Sequence, residues 1–96
     1  MYYKISRWFI NNKEMAFEMN DVSELDSYVR KYINTYTSYS GSNIKILEVV
    51  PINRASERLK FLIHVSIGSY NNMRGYGISL HMDQITEDEY CEMLLN

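Results

Sequence analysis

The chain is 96 residues long, 46% hydrophobic and 23% charged, with ten basic and twelve acidic residues for a net charge of −2. These values describe one globular domain over residues 1–96. They exclude a disordered tail, a collagen-like fibre and a polycation that holds DNA or a membrane by charge alone. The single cysteine, Cys91, cannot staple the chain internally, which predicts a reducing, cytoplasmic setting; no membrane span and no secretory leader is expected.

In chain order, Tyr2–Ile10 reads as a strand with Tyr3, Ile5 and Phe9 on one face and Lys4, Ser6 and Trp8 on the other. The polar break Asn11–Glu14 tolerates a turn, and Met15, Phe17 and Met19 alternate with Ala16 and Glu18, so the first two strands form a hairpin. Asp21 with Glu24 three residues on has the form of a capping box. The helix that follows, Val22–Tyr39, gathers Val22, Leu25, Tyr28, Val29, Tyr32, Ile33, Tyr36 and Tyr39 into one arc, with Gly41 as a left-handed stop.

Asn43–Val50 is a third strand, closed by Pro51. Its alternation fails around Leu47, Val49 and Val50, which predicts a bulge or burial on both faces. Arg58–Gly68 is the longest strand, with Leu59, Phe61, Ile63, Val65 and Ile67 on one face and Arg58, Lys60, Leu62, His64 and Ser66 on the other. A turn-rich loop, Ser69–Gly75, leads to a fifth strand in which Tyr76, Ile78, Leu80 and Met82 alternate with Gly77, Ser79 and His81. Thr86 and Glu89 form a second capping box, Ile85 can staple to Tyr90, and a short C-terminal helix turns Tyr90, Met93 and Leu94 inward. The expected fold is α+β in the order β-β-α-β-β-β-α: a mainly antiparallel five-stranded sheet with the long helix on one face.

No catalytic set is legible. His64 and His81 are expected to be diagonal neighbours on the face away from the helix, but a metal would need a third ligand such as Cys91 or Asp83, and no established spacing supplies one. Cys91 lacks a base and sits beside Glu89 and Glu92, which suppress its thiolate, so it reads as a packed helix thiol. Gly75-Tyr76-Gly77 fails as a phosphate loop because it precedes a strand. No cofactor is expected.

Charge and aromatic side chains carry more information. Arg54, Arg58, Lys60 and Arg74 make the stretch to His81 basic, whereas Asp83, Glu87, Asp88, Glu89 and Glu92 carry no base among them. Tyr28, Tyr32 and Tyr39 form a border stripe on the helix, and Tyr70 adds a loop aromatic. The leading expectation is a non-enzymatic protein-binding module of the phage or mobile-element accessory type. Tyr28, Tyr32, Tyr39 and Tyr70 would supply its contact, and Asp83, Glu87, Asp88, Glu89 and Glu92 would occupy a basic, nucleic-acid-binding site on the partner it inhibits. An alternative is single-stranded nucleic-acid binding through Lys4, Arg7, Trp8, Arg58, Lys60 and His64. A second alternative is a small metal-dependent enzyme built on His64, His81 and Cys91. An open sheet edge also predicts a homodimer.

Overall fold

The structure is a computed structural model that describes residues 1–7, 13–39, 43–52, 58–69 and 72–95, with side chains for all of these except 69 and 72–76. The element order is β1 (Tyr2–Arg7), β2 (Glu14–Glu18), a 3-10 turn (Val22–Glu24) running into α1 (Leu25–Tyr36), β3 (Asn43–Pro51), β4 (Lys60–Ser69), β5 (Asn72–Ile85) and α2 (Glu87–Leu95). All pairings are antiparallel, in the sheet order β2-β1-β5-β4-β3. The fold is the expected α+β arrangement, with α1 covering one sheet face.

Alternation decides which face is buried. Tyr3 and Ile5 of β1, Met15 and Phe17 of β2, Ile63, Val65 and Ile67 of β4, and Ile78, Leu80 and Met82 of β5 all point to α1. They meet Leu25, Val29, Tyr32 and Ile33, whose spacing of three and four residues places them on one side of the helix. Val29 and Ile33 are fully buried, and each contributes roughly 1.5–3 kcal/mol by leaving water. Val22, at the head of the apolar arc, is instead 73% exposed, because the 3-10 turn precedes the part of the helix that meets the sheet.

Both capping boxes form. The Asp21 carboxylate accepts from the Ser23 N–H at 3.0 Å, and the Glu24 carboxylate accepts from the N–H groups of Asn20 and Asp21. At α2, the Thr86 hydroxyl and Glu89 carboxylate exchange reciprocal bonds with each other's backbone N–H at 3.1 and 3.0 Å. The helix stop differs from expectation. α1 ends at Tyr36, and Thr37 takes an extended conformation while its hydroxyl donates to Ile33 O at 2.6 Å and accepts from the Tyr39 N–H at 3.2 Å. A threonine hydroxyl that competes for backbone groups ends the helix early; Gly41 lies outside the described residues.

The irregularity anticipated in β3 is a bulge at Leu47: Ile46 pairs with Val65 and Glu48 with His64. The extra residue shifts the parity, so Ile44, Ile46 and Val49 all share the α1 side while Lys45, Glu48 and Val50 share the other. The loop expected at Ser69–Gly75 is mostly strand. Gly68 pairs with Gly75 and, across a register shift, Ser69 with Asn72, because continuing the ladder satisfies backbone groups that a loop would leave to water.

Candidate interaction surface

On the face away from α1 the register lays polar side chains in rows. One row runs Lys4–Asp83–Lys60, with Asp83 opposite a lysine on each side; a second runs Ser6–His81–Leu62; a third runs Ser79–His64–Glu48. His64 Nδ1 lies 3.1 Å from Ser79 Oγ, and His64 Nε2 lies 3.5 Å from Glu48 Oε1. The diagonal placement of His64 and His81 is as the sequence implied. Among the described residues no group of three or more His, Cys, Asp or Glu side chains is placed to hold a metal ion. The Ser79–His64–Glu48 row links β5, β4 and β3 through side chains.

The α2 helix lies against the β1–β2 end of this face. The Tyr90 ring meets Tyr2 at 4.6 Å, and Ile85 is buried there, outside the main core. Burial, reinforced by the Glu87 and Glu18 carboxylates, pushes the Tyr2 phenol above its ordinary value. Arg58 donates to Glu89 at 2.7 Å; the Thr86 N–H, then Arg58 and the Thr86 hydroxyl, hold Glu89 below the usual carboxylate value. The acidic helix and the basic strand end, expected as two separate poles, are thus joined. Lys4 pairs with Glu14 at 3.0 Å.

The remaining predicted residues are spread over the molecule. Arg7 points to the α1 side, three residues from Lys4 and so on the opposite face, with its guanidinium 5.5 Å from the Tyr39 ring centre. This overturns the single basic face of Lys4, Arg7, Arg58, Lys60 and His64. Trp8 and Tyr70 lie outside the described residues.

The tyrosine stripe is also revised. Tyr32 is fully buried, its hydroxyl donates to Lys13 O at 3.0 Å, and burial raises its phenol above the ordinary value. It cannot touch a partner. Tyr28 is half-buried, stacked on Phe17 at 4.5 Å with its hydroxyl on Glu18 O at 2.8 Å, and Tyr39 is half-buried against the core. Asp83 is half-buried within β5, and Glu89 is half-buried at its cap; Glu87, Asp88 and Glu92 are exposed. Cys91 is exposed rather than packed, and Leu94 is 61% exposed rather than inward, because α2 touches the sheet through Tyr90 and Met93 and has no buried residue.

An apolar cleft among the described residues was not singled out from sequence. A cleft of about 430 Å³ opens between the start of α1 and the ends of β1, β3, β4 and β5. Its floor is Tyr3, Leu25, Phe61 and Met82; Met1, Met19, Val22 and Val49 form its mouth. It exists because α1, 12 residues and about 18 Å long, cannot cover β5, whose 14 residues extend about 46 Å. Around it Met1 is 55%, Val22 73% and Val49 38% exposed, with Leu59 at 44% and Ile52 at 42% on the same strand ends. No signal for it was available in sequence, because a helix read as Val22–Tyr39 and a fifth strand read from Tyr76 show no such mismatch.

Among the described residues no helix is long and apolar enough to cross a membrane. Comparison with protein-family models, curated protein sequences and solved structures finds no match to this chain.

Proposed function

We propose that this chain is a protein-binding module that works by covering a surface of another protein, in the manner of the small inhibitors that phages and mobile elements carry. The observation that carries the reading is the exposed apolar end of the molecule, where Met1, Val22 and Val49 border a cleft with an apolar floor and Ile52 and Leu59 are exposed at the neighbouring strand ends. Apolar surface grouped around a concavity and rimmed by polar residues is the usual mark of a recognition site. Glu87, Asp88 and Glu92 stand exposed on α2 and supply acidic contacts toward a basic patch on the partner.

A single-stranded nucleic-acid platform has weaker support, because Lys4, Arg58 and Lys60 face Glu14, Glu89 and Asp83 respectively, and Arg7 lies across the sheet from them. Pairing through the β3 edge is also disfavoured: Arg30 donates to Ile44 O at 2.6 Å, Leu47 forms a bulge and Pro51 ends the strand.

Photo-crosslinking residues placed singly at Val22, Val49, Asp88 and Lys45 test the reading in cells. The expected result is one recurrent protein adduct from Val22, Val49 or Asp88, and none from Lys45 on the open face of β3. Adducts only to nucleic acid, or none from any position in folded protein, would overturn it.

A further inference from the structure

The cleft has one acidic wall. Between Lys13 and Arg30 the sequence carries Glu14, Glu18, Asp21, Glu24 and Asp26 and no base. Glu14 is paired with Lys4 at 3.0 Å and Asp26 with Arg30 at 2.6 Å. None of the ion pairs among the described residues involves Glu18, Asp21 or Glu24. Asp21 lines the cleft itself, and Glu24 lies one turn further along.

Asp21 and Glu24 are held by backbone N–H groups, which are dipoles rather than counter-ions. A helix N-terminus offers about half a positive charge against their two full negative ones. The Met1 ammonium also borders the cleft and donates to Met19 O at 3.3 Å. The two carboxylates of Asp21 and Glu24 outweigh the ammonium and the helix terminus together, so the wall stays net negative. The opposite wall, Val49 and Phe61, is apolar.

From this geometry we infer that the cleft receives a segment of another protein that presents apolar side chains flanked by lysine or arginine. The inference rests on the protein-binding reading above and names the chemistry of the partner. The apolar floor and the flexible thioethers of Met1, Met19 and Met82 adapt to a large side chain. The carboxylates select basic neighbours and repel acidic ones. A second copy of this chain is a poor occupant. Outside the cleft itself, its most exposed apolar side chains among the described residues, Leu94 at 61% and Leu95 at 87%, sit on α2, whose charges are Glu87, Asp88, Glu89 and Glu92 with no base, so docking them would set like charges against the acidic wall.

The methionines provide the test. In protein carrying ¹³C-labelled methionine methyls, Met1, Met19 and Met82 report on the cleft, while Met15 and Met93 line a different cavity beside α2 and serve as internal controls. Two short synthetic peptides are titrated, with identical leucines flanked either by lysines or by glutamates. The expected result is that the lysine peptide shifts Met1, Met19 and Met82 but not Met15 or Met93. It should bind about ten-fold more tightly than the glutamate peptide at low ionic strength, with the gap narrowing as salt rises. Asp21→Asn keeps the cap and narrows the gap; Val49→Lys weakens the lysine peptide while the fold, read from the control methyls, is unchanged.

Equal binding of both peptides, shifts confined to Met15 or Met93, or no shift would overturn the inference. Shifts that grow with protein concentration alone would overturn it in favour of a second copy. If neither peptide binds while Asp88 still crosslinks to a cellular protein, the cleft inference falls and the protein-binding reading stands. If the lysine peptide binds and no cellular protein crosslinks, the cleft has the stated selectivity, but the protein-binding reading is overturned and with it the inference that another protein fills the cleft.

Discussion

Tyr32 shows how one residue can satisfy a pattern and still have a different job. Its helical position is compatible with either a surface stripe or the core, and a tyrosine suits the core only where its hydroxyl finds a partner. Lys13 O at 3.0 Å is that partner, and the ring is fully buried. Tyr32→Phe leaves the carbonyl without its donor and is expected to cost about 1 kcal/mol, a fall in Tm of roughly 4–8 °C for a domain of this size, measured by thermal unfolding. The phenol is raised above 10.0 in the fold, so the neutral form is the one the native state prefers. That contribution is complete below pH 10.0 and disappears as the pH climbs through the raised value. An alkaline titration followed by tyrosinate absorbance should therefore show the wild type unfolding as Tyr32 ionises, with Tyr32→Phe less sensitive to alkali.

Among the elements, α2 is held most lightly. None of its residues is buried, and its attachment is concentrated in the first turns, through Tyr90 on Tyr2 and Glu89 on Arg58. Glu89 titrates below its ordinary 4.5 in the fold, so its contribution is present above pH 4.5 and is lost as the pH falls through the lowered value. Hydrogen exchange should show the amides of Glu87–Leu95 losing protection in that acid range before those of β4 and β5 do. Arg58→Ala should produce the same local loosening at neutral pH, and uniform loss across the sheet would show that α2 is instead part of the cooperative core. The β3 bulge is the complementary case, an irregularity that secures packing. The single extra residue, Leu47, lets Ile44, Ile46 and Val49 all serve the α1 side.

At the scale of the whole molecule, the sheet has two terminal strands, and their treatment bears on how the protein meets others. β2 is only five residues long, while β3 carries Arg30 on a carbonyl, a bulge and a terminal proline. Light scattering is expected to give a single-chain mass of 11.4 kDa at micromolar concentration, and Arg30→Ala combined with Pro51→Val should shift it toward dimers and larger species. A wild-type dimer, or a double variant that stays monomeric, would show that edge protection is not what these residues provide. The sequence by itself determined the element order, the buried face of every strand except β3, and both capping boxes, while for β3 it left a bulge and burial on both faces as alternatives. Each follows from spacing along a few consecutive residues, which local backbone geometry converts directly into direction. Only the tertiary structure decided that Glu89 is bound to Arg58, that Arg7 reaches the Tyr39 ring, and that Met1, Val22, Val49 and Phe61 border one cleft. Those groupings depend on strand order, on where α1 stops, and on how far a helix rising 1.5 Å per residue can reach over strands rising about 3.3 Å, and no local pattern encodes them.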